Sequence, residues 1–175
     1  MAHLSIVGMG YVGLPLALAF DAESHDVVGF DTDVRKIARF RRGEDPTGEV
    51  GSDAIDRSDI TFTTSESEIA SSDYYVITVP TPIDESGAPE LAFVEAAGET
   101  VGETLSDGST VVLESTVYPG ATREVLLPVL EKTSERTAGD DFYLGYSPER
   151  LVPGNAAKGL ADIVKIVSGH DEVAL

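Results

Sequence analysis

Three glycines near the amino terminus have the spacing of a dinucleotide-binding loop. Gly8, Gly10 and Gly13 follow a short apolar run, and Asp31 stands 18 residues beyond Gly13, at the end of a second apolar run. In this pattern the first glycine permits a tight turn, the second lets the backbone approach a pyrophosphate, and the third lets a helix pack closely on a strand. The amino terminus of that helix attracts phosphate, and the acid accepts hydrogen bonds from a ribose diol. The pattern therefore predicts a nucleotide-binding βαβ unit.

Asp31 also predicts which dinucleotide binds. The 2′-phosphate of NADP would meet this carboxylate as a like charge, so the residue favours NAD. A glycine pattern alone is weak evidence, because glycine-rich turns are common in proteins. Here the strand, the helix, the second strand and the acid follow in the required order. We therefore expect NAD as the cofactor.

Predicted strands and helices alternate along the whole chain. Apolar and β-branched runs indicate strands at 3–7, 26–30, 60–63, 74–79, 110–114, 142–146 and 163–167. Helical patterns and capping residues indicate helices at 11–22, 33–42, 90–105 and 121–135, with a short helix between 65 and 73 and a kink at Pro128. This alternation is typical of an α/β fold of Rossmann type. We expect one domain, residues 1–175, with a doubly wound, mostly parallel sheet and helices on both faces.

Ligands of such sheets bind beyond the carboxyl ends of the strands. The predicted strand ends bring five segments to that edge. They are the glycine loop, Asp31, and the segments 79–82, 115–116 and 147–149. We expect all five to line one crevice.

The charge of the chain is strongly negative. Thirty-one acids stand against 12 bases, which leaves a formal net charge of −19, and the acids are dispersed along the chain. Such a surface repels nucleic acid and anionic membranes, so neither is an expected partner. Dispersed acids with few lysines are typical of adaptation to high salt, where self-repulsion is screened.

The composition also excludes some chemistry. The sequence has no cysteine, so it offers no disulfide and no thiol nucleophile, and no metal site is expected. The longest apolar stretch, 14–20, is too short to cross a bilayer, and no signal peptide is recognisable. These features favour a cytoplasmic protein.

Several motifs together resemble a known family. They are 8–15 (Gly-Met-Gly-Tyr-Val-Gly-Leu-Pro), 29–31 with Lys36, 79–82 (Val-Pro-Thr-Pro), 114–120 (Glu-Ser-Thr-Val-Tyr-Pro-Gly) and 147–150 (Ser-Pro-Glu-Arg). In this combination the chain resembles, over essentially its whole length, the amino-terminal domain of the nucleotide-sugar dehydrogenases, the UDP-glucose/GDP-mannose dehydrogenase family. Segments 43–50 and 146–154 are most similar to the enzymes that act on UDP-N-acetylhexosamines.

The resemblance implies an activity and a role for individual residues. The activity is a two-step oxidation of a sugar C6 alcohol to a carboxylate with two NAD, and a UDP-sugar is the implied partner. Thr116 and Glu149 are the implied catalytic residues, with Glu149 as the general base acting on water during thioester hydrolysis. The implied cofactor-binding residues are Gly8, Gly10, Tyr11, Val12, Gly13, Asp31, Lys36, Val79, Thr81, Ser115 and Thr116. The implied substrate-binding residues are Glu149, Arg150, Leu151 and Gly154.

Part of the family's machinery is not in this sequence. The catalytic cysteine, lysine and asparagine of the family belong to the portion that follows this domain, together with a second domain. The resemblance therefore implies a truncated chain, without the central helix and the substrate domain, that binds the cofactor but does not turn over. It also implies a homodimer or larger homo-oligomer for the full-length protein.

Other interpretations remain open at this point. The chain is also compatible with the first domain of another NAD-dependent dehydrogenase, of hydroxyacid or hydroxyacyl-CoA type, or with a non-catalytic NAD-sensing module. For single residues, Thr116 is compatible with a simple strand end, Glu149 with a surface ion pair to Arg150, and Lys36 with a solvated helix position. The motifs at 115–120 and 147–150 distinguish the first alternative, because those enzymes are not expected to carry them.

The excess of acidic residues leads to a first prediction, which concerns how the stability of the folded state depends on salt. At low ionic strength the acids repel one another, so the folded state should be less stable than at high ionic strength. Thermal unfolding from low to molar KCl should show a melting temperature that rises with salt. A melting temperature that does not change would show that the acids are compensated locally.

Overall fold

The computed structural model describes residues 1–150 and 163–175. The described residues form one seven-stranded sheet with the strand order β3-β2-β1-β4-β5-β6-β7. The strands are β1 (His3–Val7), β2 (Asp26–Phe30), β3 (Thr61–Thr63), β4 (Tyr74–Ile77), β5 (Thr110–Leu113), β6 (Tyr143–Tyr146) and β7 (Ser168–Gly169).

Strands β1 to β6 run parallel, and only β7 is antiparallel to its neighbour β6. The order runs outward from β1 in one direction through β2 and β3, and in the other through β4, β5 and β6. The topological switch point of the sheet therefore lies between β1 and β4, where a crevice opens at the carboxyl ends of the strands. The predicted fold class is confirmed.

Helices cover both faces of the sheet. They are α1 (Gly13–Ala22), α2 (Val34–Phe40), α3 (Ser52–Asp56), α4 (Ala92–Thr104) and α5 (Leu127–Ser134), with a 3₁₀ turn at Glu66–Glu68. Neighbouring residues of β1 point to opposite faces, as in any strand. Ile6 packs into the apolar cluster that contains residues of α1 and α2, whereas Val7 packs into the cluster that contains residues of α4. The two clusters fix the sheet between its helical layers.

The helix predicted over 121–135 differs in its first half. The structure has a π-helical turn at Thr122–Leu126, and α5 begins only at Leu127. Pro128 therefore lies in the first turn of α5, where the missing amide hydrogen is tolerated. A wider, π-helical turn lies immediately before the proline.

The seventh strand was predicted at the wrong residues. The sequence indicates a strand at 163–167, but β7 is Ser168–Gly169. Residues 164, 166 and 167 are apolar yet exposed, at 80%, 54% and 61%. Part of this segment bonds to side chains instead of a neighbouring strand, because the Val164 carbonyl accepts a hydrogen bond from Arg150.

One carboxylate organises the loop between α2 and α3. Asp45 accepts hydrogen bonds from the backbone amides of Thr47, Gly48, Val50 and Gly51 and from the Thr47 hydroxyl, at 2.6 to 3.0 Å. Burial opposes the charge of Asp45, but the hydrogen bonds outweigh burial and lower its pKa from 3.8 to about 2. The loop depends on the ionised form of this side chain.

This loop generates a prediction on pH. The pKa of Asp45 is lower in the folded state, so its contribution to the free energy of unfolding is present above pH 3.8 and is lost as the pH falls towards 2. Asp45→Asn should lower the free energy of unfolding at pH 7 by about 1 kcal/mol, since water screens this partly exposed group. Urea unfolding in constant high salt should show the wild-type advantage shrinking below pH 4, roughly the unfolded pKa of the group.

The matched control is Asp59→Asn, which removes the same charge from an exposed position. Its effect on the free energy of unfolding should be small and should not follow the titration of Asp45. An Asp45→Asn variant as stable as the wild type at pH 7 would show that the carboxylate does not hold the loop.

Candidate functional site

A cleft of about 680 Å³ opens at the switch point of the sheet. The five segments that the sequence assigned to one crevice all line it. Of the predicted site residues, the cleft is lined by Gly8, Gly10, Tyr11, Val12, Asp31, Lys36, Val79, Thr81, Ser115, Thr116 and Glu149.

The glycine loop forms the floor of the cleft. Gly8 has φ of +100°, a conformation that side chains other than glycine rarely adopt. Gly13 is buried below the cleft, and a Cβ atom there would overlap the carbonyl oxygen of Gly8. A Cβ atom on Gly10 would meet no atom within 4 Å. The loop thus packs tightly on its protein side and leaves open space on its cleft side, as a pyrophosphate requires.

The Asp31 carboxylate is anchored on both oxygens. One oxygen accepts hydrogen bonds from the Met9 amide at 2.9 Å and from Lys36 Nζ at 2.6 Å, and the other accepts the Asp33 amide at 2.9 Å. Asp31 is 8% exposed, so these contacts are shielded from water. Asp31 therefore holds the glycine loop in place and also faces the cleft.

Lys36 reaches the cleft because of the way α2 begins. Asp33 caps the helix, its carboxylate accepting the amides of Arg35 and Lys36. This cap places Lys36 in the first turn of α2, facing back towards Asp31. The ammonium group compensates the charge of Asp31 at the edge where a ribose would bind.

Two hydroxyl groups join the neighbouring loops of the cleft. The Ser115 hydroxyl donates to the Val79 carbonyl, and the Thr81 hydroxyl donates to the Thr116 carbonyl, each at 2.6 Å. These hydrogen bonds connect the loop after β4 to the loop after β5. The side chain of Thr116 remains exposed at the wall of the cleft.

Glu149 lies at the far side of the cleft, on the segment after β6. Next to it is Glu114, a buried carboxyl at the end of β5. Burial raises the pKa of Glu114, the ammonium of Lys165 lowers it, and the charge of Glu149 raises it. The two carboxyl groups are therefore close enough to interact.

The other predicted substrate-binding residues have different positions. The Arg150 guanidinium is exposed and donates to the Val164 carbonyl at 3.2 Å, and Arg150 is not among the residues that line the cleft. Leu151 and Gly154 lie outside the described residues.

Sequence reasoning assigned no role to two features of the cleft. Thr78 donates to the Gly8 carbonyl at 2.7 Å and so holds the glycine loop against β4. Its signal was a single polar residue inside the run 74–79. A short hairpin closed by the pairing of Ile83 with Pro89 also borders the cleft, with Asp84 accepting three hydrogen bonds within it. Its signal was the Asp-Glu-Ser-Gly turn between prolines.

The described residues contain no group of three or more histidine or acidic side chains arranged to hold a metal ion. None of the helices in the described part of the chain is long and apolar enough to cross a membrane.

Comparison with known proteins decides the family. Residues 2–174 match the description "UDP-glucose/GDP-mannose dehydrogenase family, NAD binding domain". The chain belongs to this family. It is 44% identical over 167 residues to a UDP-N-acetyl-D-glucosamine 6-dehydrogenase of Pseudomonas aeruginosa and 42% identical over 168 residues to the protein CapL of Staphylococcus aureus.

A solved structure agrees with this assignment. An NDP-N-acetyl-D-galactosaminuronic acid dehydrogenase from Methanosarcina mazei superimposes with a TM-score of 0.90 at 31% identity, over 99% of this chain and 40% of that one. The two sequence relatives are matched over 95% and 96% of this chain, but only over 39% of their own lengths. The chain thus spans about two fifths of its relatives and corresponds to their NAD-binding domain, with NAD as the cofactor.

Asp31 generates the prediction on the cofactor. Its carboxylate lines the cleft, where we expect it to accept ribose hydroxyls, and it also holds the Met9 amide. Asp31→Ala should therefore weaken NAD binding by about 1–3 kcal/mol. NAD should bind more tightly than NADP in the wild type. Lys36→Met should widen that difference, because Asp31 then loses the cation that neutralises it. Calorimetric titration with both cofactors measures each effect, and equal affinities in the wild type would contradict the role of Asp31.

Proposed function

We propose that the protein to which this chain belongs oxidises the C6 alcohol of a UDP-N-acetylhexosamine to a carboxylate in two NAD-dependent steps. The observation that carries the proposal is the single cleft in which the glycine loop, Asp31, Thr116 and Glu149 meet. The similarity to a UDP-N-acetyl-D-glucosamine 6-dehydrogenase supports the choice of sugar.

We assign one part of the cleft to the cofactor. The glycine loop and the amino terminus of α1 bind the pyrophosphate, and Asp31 with Lys36 binds the adenosine ribose. Bound NAD supplies the acceptor for the hydride that leaves the sugar carbon. The brace between Thr81 and Thr116 holds the two loops at the reacting end at a fixed separation.

We assign the acid-base chemistry of the reaction to Glu149. We infer from the family resemblance that a cysteine thiol elsewhere in the protein carries the oxidised sugar as a thioester. Hydrolysis of that thioester requires a base that removes a proton from water. Glu149 is a partly buried carboxyl in the cleft, and we assign it this role, with Thr116 orienting the water.

The substrate is tested directly. The protein with all the segments that its gene encodes should be assayed with NAD against a panel of UDP- and GDP-sugars. We expect two NADH per sugar oxidised and preference for a UDP-N-acetylhexosamine. Preference for UDP-glucose or GDP-mannose would overturn the choice of sugar, and the absence of any oxidation would overturn the activity.

Five further assignments accompany this proposal. We place the protein in the cytoplasm, where NAD and nucleotide sugars are supplied, and assign its product to polysaccharide biosynthesis. We expect a homodimer or larger homo-oligomer, and no nucleic-acid or membrane partner, since the net charge of −19 repels both. The excess of acids supports adaptation to high salt.

Glu149 generates the mechanistic prediction. Glu149→Gln keeps the size of the side chain but removes its basicity, so turnover should fall by roughly 10²–10⁴-fold while NAD binding is retained. The covalent sugar adduct should accumulate and appear in the mass of the intact protein. The control Glu95→Gln, at an exposed position of α4, should change neither quantity. Near-normal turnover of Glu149→Gln without an adduct would make Glu149 a structural residue.

A further inference from the structure

Glu114 is a buried carboxyl for which neither the NAD fingerprint nor the base on Glu149 provides a role. It directly follows β5, is 7% exposed, and donates its own amide hydrogen to the Ile77 carbonyl at 2.8 Å. Its side chain borders the cofactor cleft on one face and a second, largely apolar groove on the other. A carboxyl group at such a position is costly unless a cation accompanies it.

Lys165 supplies that cation. Its ammonium group lies 2.7 Å from Glu114 Oε2, and its side chain is 25% exposed, against 8% for Glu114. Lys165 belongs to the segment 163–167, the apolar run that does not form the predicted strand. The neighbouring Val164 carbonyl accepts Arg150, so this segment is held at two consecutive residues.

Both contacts act on the stretch that carries Glu149. Arg150 follows Glu149 directly in the chain, and Glu114 is its electrostatic neighbour in the cleft. The segment 163–167 thus fastens the chain next to Glu149 to the end of β5. Within residues 1–150 and 163–175, the charged and imidazole groups that line the cleft or the groove around Glu114 are Asp31, Lys36, Glu149, Glu23, His25 and Lys165.

Of the two lysines in this group, Lys165 is the one that is paired with Glu114. Asp31 already occupies Lys36 in a separate ion pair. Two carboxyl groups, Glu114 and Glu149, share the remaining end of the cleft, and like charges at short range resist simultaneous ionisation. Of the described lysines, Lys165 is the one whose ammonium group contacts Glu114.

We propose that Glu114 and Lys165 form a positioning pair for Glu149, which fixes the segment around the base and compensates the second carboxylate beside it. Neither residue of the pair exchanges a proton with the substrate. This inference rests on the proposed function, since it assigns the pair to the base of that reaction.

The first experiment measures ionisation in the 175-residue chain, without substrate. The carboxyl carbon of Glu114 is followed by NMR across pH and is assigned by its loss in Glu114→Gln. In Lys165→Met the pKa of Glu114 should rise further, because the ammonium that lowers it is gone. In Glu149→Gln the pKa of Glu114 should fall, because the charge that raises it is gone. Lys132→Met, an exposed position of α5, is the matched control and should leave the titration unchanged.

The second experiment measures turnover in the protein that carries the whole catalytic machinery. Lys165→Met should lower kcat at neutral pH by roughly 10–100-fold, with partial recovery at higher pH and with little change in NAD affinity. Lys165→Arg keeps the charge and should restore most of the activity. The pH-dependent recovery and the rescue by arginine distinguish positioning from a general loss of structure.

The possible outcomes distinguish a failure of the positioning pair from a failure of the proposed function. A Glu114 titration that does not respond to Glu149→Gln, or turnover of Lys165→Met at the wild-type rate, would overturn the positioning pair. If Lys165→Met does not fold, two measurements still test the positioning pair. They are the turnover of Lys165→Arg and the titration of Glu114 in Glu149→Gln. A wild-type protein that binds NAD but oxidises no nucleotide sugar would overturn the proposed function, whereas the titration would still report on the pair.

Discussion

The cleft depends first on the Asp31 carboxylate. It lies at the end of β2 and accepts the Met9 amide from the glycine loop after β1, so one buried side chain joins two neighbouring strand ends. An amide in a loop of this kind would otherwise need water or a ligand as its acceptor. Because the carboxylate fulfils that need, the glycine loop has its shape before a dinucleotide arrives. The acid that we propose for ribose binding therefore also shapes the loop that we propose for the pyrophosphate.

The remaining strand ends are joined in the same manner. Thr78 after β4 donates to the Gly8 carbonyl, and the hydroxyl of Ser115 after β5 donates to the Val79 carbonyl. Each bond runs from a side chain at one strand end to the backbone of the neighbouring loop. Parallel strands place these ends side by side, and short hydroxyl side chains fit the spacing between strands. The loops that form the walls of the cleft are thus tied to the ends of the sheet strands.

Lysines are scarce in this chain, and two of them form ion pairs with acids that line the cleft. The sequence has four lysines, and two of them, Lys36 and Lys165, form ion pairs with the acids Asp31 and Glu114. Most of the other acids are dispersed and exposed, where repulsion is weak and salt screens it. A partly buried acid has no such screening and needs a partner. The distribution of lysines follows this difference in environment.

The sequence by itself determined the fold class, the positions of β1, β2, β3, β5 and β6 to within one residue, the cap on Asp33, and the five segments that line the cleft. These features depend on neighbouring residues: glycines that a tight loop demands, apolar runs of strand length, and an acid at a strand end. The tertiary structure alone decided the partners of Arg150, Glu114 and Lys165, the π-helical turn before Pro128, and the place of β7. The contacts of Arg150, Glu114 and Lys165 join groups that are 14 and 51 positions apart in the chain. Val164 and Lys165 appear as part of a strand when only their neighbours are considered, but the contacts from Arg150 and Glu114 hold them outside the sheet.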